Sequence, residues 1–259
     1  MGRIITIANQ KGGVAKTTTA INLGAALSMS EISVLLVDMD PQGNSTSGLG
    51  LDKNTLESGV YNSLLGFVPM ADIVRPSSLE WLKVAPSNRD LVGAELEMID
   101  IDRREYRLAD ALAPLTESFE YILVDCPPSL GLLTVNAMVA ADELLIPIQA
   151  EYFALEGVSD LLDTVSRVRE SLNPGLRIRG VLLTMADDRT NLSQQVSDEV
   201  NSYFGDLVFR TVIPRNVRVA EAPSFGLPVM LYDIASKGAK AYLQLAREFL
   251  NDGKEKSSR

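Results

Sequence analysis

The sequence predicts an α/β fold, a doubly wound, mostly parallel sheet flanked by helices, and three observations carry that reading. Val34-Leu35-Leu36-Val37, Tyr121-Ile122-Leu123-Val124, Leu144-Leu145-Ile146-Pro147-Ile148 and Val181-Leu182-Leu183 are apolar without alternation, as in strands buried on both faces. Val158, Leu161, Leu162, Val165 and Val168, between the last two runs, follow the spacing of an amphipathic helix. Near the start, an apolar, β-branched run leads through a Gly-containing turn into a helical stretch, the strand-turn-helix order of such sheets.

Taken in order, Arg3 to Ala8 reads as the first strand and Thr18 to Leu27 as the helix after it. The four apolar runs supply the next principal strands. Shorter strands are expected at Leu82-Lys83-Val84-Ala85, Arg210-Thr211-Val212-Ile213 and Val229-Met230-Leu231. No Pro/Gly/Ser-rich linker divides the chain, and 259 residues with 46% hydrophobic content suffice for one large core. The expected organisation is one domain over 1–250 and a polar, flexible tail over 251–259.

Composition excludes several chemistries. One cysteine, Cys126, rules out an internal disulfide, and the absence of histidine rules out His-based metal sites and His-dependent triads. Neither a transmembrane run nor a signal peptide is expected, which predicts a cytoplasmic protein. The formal charge of −10 argues against indiscriminate nucleic-acid binding by the whole surface. Leu207 to Leu250 nevertheless holds six basic against three acidic residues, so an anionic partner would meet one face.

The turn itself is Asn9-Gln10-Lys11-Gly12-Gly13-Val14-Ala15-Lys16-Thr17-Thr18. Such a turn aims backbone N–H groups and a helix N-terminus at one point, where a polyphosphate can sit. Gly12, Gly13, Val14, Ala15, Lys16, Thr17 and Thr18 would form the cradle. Lys16 would reach the β- and γ-phosphates, and the Thr17 hydroxyl would ligate Mg²⁺. Against G-x-x-x-x-G-K-[ST], Gln10 and Ala15 replace the two glycines. A negative φ is expected at Ala15, because left-handed backbone costs alanine about 1–2 kcal/mol.

In such sheets ligands bind beyond the carboxyl ends of the strands. Asp125 follows Val124 there, and its placement suits a Mg²⁺-supporting carboxylate, held through water. Asp38 and Asp40 follow Val37 two residues apart and are expected to point the same way. Asp38 alternatively caps the strand end.

Lys-Gly-Gly-x-x-Lys-Thr-Thr resembles the deviant Walker A motif of the ParA/MinD ATPases, whose mark is the extra lysine, here Lys11. The resemblance covers nearly the whole chain. With Glu151 to Gly157, Arg189 to Val196 and Val212 to Arg218, it is greatest to the chromosomal, Soj-type ParA proteins. It implies ATP and Mg²⁺ as cofactors, Asp40 as the residue orienting the attacking water, and Asp38 as a supporting or metal-side carboxylate. Lys11, on the outer side of its own loop, would act on a partner protomer's phosphates, as an arginine finger does in trans. The segment Thr211 to Arg218, with Pro214 and Asn216, resembles the part that holds adenine, and Met185 is the candidate for the opposite side of the base.

The resemblance further implies an ATP-dependent homodimer, nonspecific DNA binding on the nucleoid, and a ParB-type centromere-binding protein that stimulates hydrolysis. The N-terminal helix-turn-helix domain of plasmid-type relatives is not expected. Arg189 and Arg218 match residues implicated in DNA contact, and Lys237, Lys240 and Arg247, three and seven residues apart, would extend that stripe. Phe225 stands where the family commonly has His, and Ala235 where it has an arginine. Alternatives are a MinD-like membrane-associated positioning ATPase, which needs a C-terminal amphipathic helix, and a metabolic P-loop enzyme.

Overall fold

The computed structural model describes residues 2–151, 155–187 and 191–257. Seven strands form one sheet: β1 (Arg3–Ile7), β2 (Val34–Asp38), β3 (Arg75–Pro76), β4 (Leu82–Ala85), β5 (Tyr121–Asp125), β6 (Glu143–Gln149) and β7 (Arg177–Thr184). Their order is β3-β4-β2-β5-β1-β6-β7. All neighbouring pairs are parallel except β3 with β4. The two-residue β3 closes one edge antiparallel, and its Pro76 suits an edge position because it has no ladder N–H to give.

The continuous apolar runs are buried on both faces because each face carries its own helical layer. Ile4, Leu35, Val37, Ile122, Val124, Leu144 and Ile146 pack with Leu133, Ala137, Val158, Leu161, Val165 and Val200 on one side. Ile5, Ile7, Leu36, Leu123, Leu145 and Leu182 pack with Leu23, Leu27, Tyr242, Leu245 and Phe249 on the other. The helix Lys16–Ser28 lies between sheet and C-terminal helix, which explains why its apolar residues run all round it. Thr6, the one polar residue within β1's apolar run, donates its hydroxyl to the Ala137 carbonyl at 2.8 Å.

The C-terminal helix spans Lys237–Ser257 and so continues past residue 250. It is fastened by Arg179, a buried side chain on β7 whose guanidinium pairs with Glu143 at 3.4 Å, lies 4.6 Å from the centre of the Phe249 ring, and donates to the Phe249 carbonyl. Ala239, Tyr242, Leu245, Ala246 and Phe249 are all buried, so the apolar side of this helix is already used by the core. No helix among the described residues is long and apolar enough to cross a membrane.

Two expected strands are corrected. Val229–Tyr232 is a short helix that begins after Pro228, and Asn22 Oδ1 accepts the Val229 N–H at 2.8 Å. Arg210 to Ile213 runs beside β7 with only isolated bridges around it, Val181 to Val208 and Ala186 to Pro214. Glu248 accepts the Arg210 and Thr211 amides at 2.6 and 2.9 Å, which removes them from any ladder.

Candidate nucleotide site

The carboxyl ends of β1, β5 and β2 are level: Ile7 pairs with Asp125, and Asp125 with Asp38. The turn after β1 is pinned from three sides. Asn9 donates to the Pro147 carbonyl on β6 at 2.7 Å and accepts the Lys11 N–H at 3.0 Å. Thr184, at the end of β7, donates its hydroxyl to the Val14 carbonyl at 3.1 Å, and Lys16 Nζ donates to the Lys11 carbonyl at 2.9 Å.

Ala15 has φ 67° and ψ 32°, and the negative φ expected for it is wrong. Gly13 is also left-handed, with φ 75°. Left-handed residues alternating along a loop turn successive N–H groups to one side, an anion-binding nest. The fixed Val14 carbonyl and the helix start at Lys16 hold Ala15 in that conformation despite its methyl group.

A cleft of about 450 Å³ opens over this loop, lined by Gly12, Gly13, Ala15, Lys16, Thr17, Thr18, Asp40, Gln42, Asn44, Pro128 and Met185. Six residues of the loop, Asp40 and Met185 therefore meet as expected. Gln42, Asn44 and Pro128 were not anticipated; the first two belong to the turn after Asp40, where Gly43 is left-handed and the helix Asn44–Gly48 starts. Lys11 and Val14 are not among the lining residues. Lys11 is half-buried and Val14 is buried.

Lys16 is buried, and desolvation lowers its pKa against the opposing charges of Asp125, Cys126 and Asp40. An anion in the cleft would restore what burial removes. Asp125 and Asp38 are fully buried. Desolvation, with the Asp38 charge next, pushes the Asp125 carboxyl up to about 8 against the Ser45 and Thr17 hydroxyls. Desolvation also raises Asp38, to about 6, against hydrogen bonds from Thr46 and Asp40.

Ser45 donates to Asp125 Oδ2 at 2.7 Å, while Asp125 Oδ1 is buried without a hydrogen-bond partner. That orphaned oxygen beside Thr17 fits a Mg²⁺ site. Among the described residues no cluster of three or more acidic, Cys or His side chains could hold a metal. The fit is thus to a cation bound chiefly by phosphate and water oxygens. Asp38 is placed differently from a metal-side carboxylate. Its Oδ1 accepts the Asp40 N–H at 3.2 Å and its Oδ2 accepts both the amide and hydroxyl of Thr46 at 2.8 and 2.7 Å. Both oxygens shape the turn that carries Asp40. Asp40 in turn accepts the Gln42 N–H at 2.9 Å and faces the cleft.

A family model described as an AAA domain matches residues 2–178. The chromosome partitioning protein ParA of Myxococcus xanthus (strain DK1622) is 53% identical over 259 residues, 100% of this chain and 92% of that protein. The chain belongs to the ParA/MinD family. The sporulation initiation inhibitor protein Soj of Bacillus subtilis (strain 168) is 54% identical over 253 residues, 98% of this chain and 100% of that protein. Among solved structures, cobyrinic acid a,c-diamide synthase from Mycobacterium smegmatis with bound ATP analog and magnesium superposes with a TM-score of 0.88 at 40% identity, covering 100% of this chain and 98% of that one.

Pro214, Asn216, Arg218, Lys237, Lys240 and Arg247 are not among the residues that line the cleft. Pro214 bridges to Ala186, the neighbour of Met185, and Asn216 caps the helix Val217–Glu221 by accepting the Val219 N–H at 3.2 Å. Met185 itself has φ 51°. Arg218 is exposed and paired with Glu221 at 3.0 Å and Asp233 at 3.5 Å. Lys237, Lys240 and Arg247 are exposed on the C-terminal helix. Arg189 and the middle of the Glu151 to Gly157 run lie outside the described residues.

Proposed function

We propose that this chain is an ATP-dependent DNA-partition ATPase, active as an ATP-bridged homodimer. The observation that carries the reading is the convergence of Lys16, Thr17 and Asp40 on one cleft, with an unpartnered Asp125 oxygen behind it. The name of the Myxococcus xanthus relative, a chromosome partitioning protein 53% identical to this chain, points the same way. The diamide chemistry in the structural neighbour's name is not carried over, because no acceptor-specific residues are identified in the sequence.

In this reading the loop amides and Lys16 would hold the triphosphate, and Thr17 and Asp125 would hold Mg²⁺, which would supply charge neutralisation to the phosphates. Asp40, steadied by Asp38 and the Gln42 amide, orients the attacking water. Lys11 is half-buried and does not line its own cleft, which suits a lysine that neutralises charge on the neighbour's phosphates. Because ATP contacts are added only in the pair, nucleotide and dimerisation are linked reciprocally.

DNA would be met through phosphates by Arg189, Arg218, Lys237, Lys240 and Arg247, without sequence preference. The pairs that Arg218 makes with Glu221 and Asp233 are exposed and weak in water, so a phosphate can replace them. Dimerisation doubles the contacts on one surface and steepens affinity and salt dependence together. A ParB-type protein is the partner expected to stimulate hydrolysis.

Lys16→Ala tests the site. It is expected to abolish ATP binding and Mg²⁺-dependent hydrolysis while the protein still unfolds cooperatively. Wild-type nucleotide affinity in that variant would remove the loop from the function.

A further inference from the structure

The helix Leu91–Glu97 rests on the sheet through Leu91 and Ala94, and it turns Glu95 toward the segment that follows β5. That segment ends at Gly131, which precedes the helix Leu132–Ala140 with extended backbone and no capping side chain of its own. Glu95 Oε1 accepts the Leu133 N–H at 3.3 Å instead. A carboxylate at a helix N-terminus both satisfies a free donor and opposes the positive end of the helix.

Gly131 is what allows the approach: a Cβ there would lie 2.4 Å from Glu95 Oε1. Thr134, one residue beyond Leu133, donates its hydroxyl to the Ser129 carbonyl. The neighbour of Ser129 is Pro128, which lines the nucleotide cleft together with Gly12 and Gly13. Hydrogen bonds and the chain itself therefore link Glu95, through the start of the helix Leu132–Ala140 and Ser129, to Pro128, which shares the cleft lining with the phosphate loop.

We infer that Glu95 is a positioning residue for ATP hydrolysis, clamping the turn between Asp125 and Gly131 against the phosphate loop from outside the site. The inference rests on the ATPase reading above. Glu95 touches no reacting atom; it acts through the turn, so its loss slows turnover more than it weakens nucleotide binding.

The test is steady-state ATP hydrolysis by wild type, Glu95→Ala, Glu95→Gln and Glu97→Ala, with hydrogen exchange at the Leu133 amide. Glu95→Ala is expected to lower kcat about tenfold with KM for ATP within about twofold, the signature of a lost transition-state alignment. The Leu133 amide should exchange faster in the same variant. Glu95→Gln should recover turnover and protection, because its amide oxygen can accept the same hydrogen bond. Glu97→Ala, which removes a carboxylate from the same helix, should match wild type. Gly131→Ala provides an independent perturbation: its methyl displaces the flexible Glu95 side chain, so it should slow wild type and add nothing in the Glu95→Ala background.

Wild-type kcat in Glu95→Ala would overturn the inference, as would a Glu95→Gln variant as slow as Glu95→Ala. Slow turnover with unchanged exchange at Leu133 would overturn it too. If wild type itself fails to hydrolyse ATP, the ATPase reading falls, and this inference with it; an active wild type with an equally active Glu95→Ala counts against Glu95 alone.

Discussion

Asp38 and Asp125 are register partners on adjacent strands, both fully buried, and two carboxylates so placed cannot both ionise at low cost. Their carboxyls are raised to about 6 and about 8. The sign of the consequence follows from proton counting. Both folded values lie above the unfolded carboxylate value, so between about pH 4 and 8 the folded protein holds more protons than the unfolded one, and stability falls as pH rises. No histidine titrates in this window to obscure the effect. In EDTA, the urea midpoint should therefore be higher near about pH 5.5 than near about pH 8.5, and Asp125→Asn should flatten the difference. An equal midpoint in wild type, or the same slope in the variant, would show that the pair is ionised throughout.

The phosphate loop shows how an element can override a residue's preference. Ala15 is held left-handed between the pinned Val14 carbonyl and the helix Lys16–Ser28. Glycine adopts that conformation freely, so Ala15→Gly should stabilise the protein by about 1 kcal/mol and keep nucleotide binding. Chemical denaturation reads this directly, and a loss of stability would mean the loop is not left-handed at that position. The wrong expectation for Ala15 came from reading its intrinsic preference alone. The strands β1, β2, β5, β6 and β7 were legible because burial on both faces leaves a local signature, Lys16 because the Gly-containing turn after β1 carries a pattern of its own, and Asp40 and Asp125 because they lie at or just beyond the ends of β2 and β5. Val229 to Leu231 and Arg210 to Ile213 are not strands because the Val229 amide is taken by Asn22 and the Arg210 and Thr211 amides by Glu248, 207 and 38 residues away for Val229 and Arg210. No local pattern carries that information. Gln42, Asn44 and Glu95 were invisible for a similar reason: a polar residue in a turn or on a short helix looks solvated until the fold brings its partner.

At the scale of the molecule, the nucleotide cleft opens at one end of the sheet and is lined by its own loop and two turns, with Lys11 outside the lining. A second protomer facing that end would give Lys11 a phosphate to meet and would align the two sets of basic side chains. A net charge of −10 supplies no background attraction for DNA, so the proposed binding would have to come from that alignment. Whether ATP joins two protomers through Lys11 is read by sedimentation with ADP or ATP, with and without DNA of unrelated sequences. Asp40→Ala should be monomeric with ADP and, with ATP, a stable dimer that binds each DNA equally, while Lys11→Ala should bind ATP yet stay monomeric and leave DNA unbound. A monomeric Asp40→Ala in ATP, or a Lys11→Ala variant that dimerises as wild type does, would contradict the account.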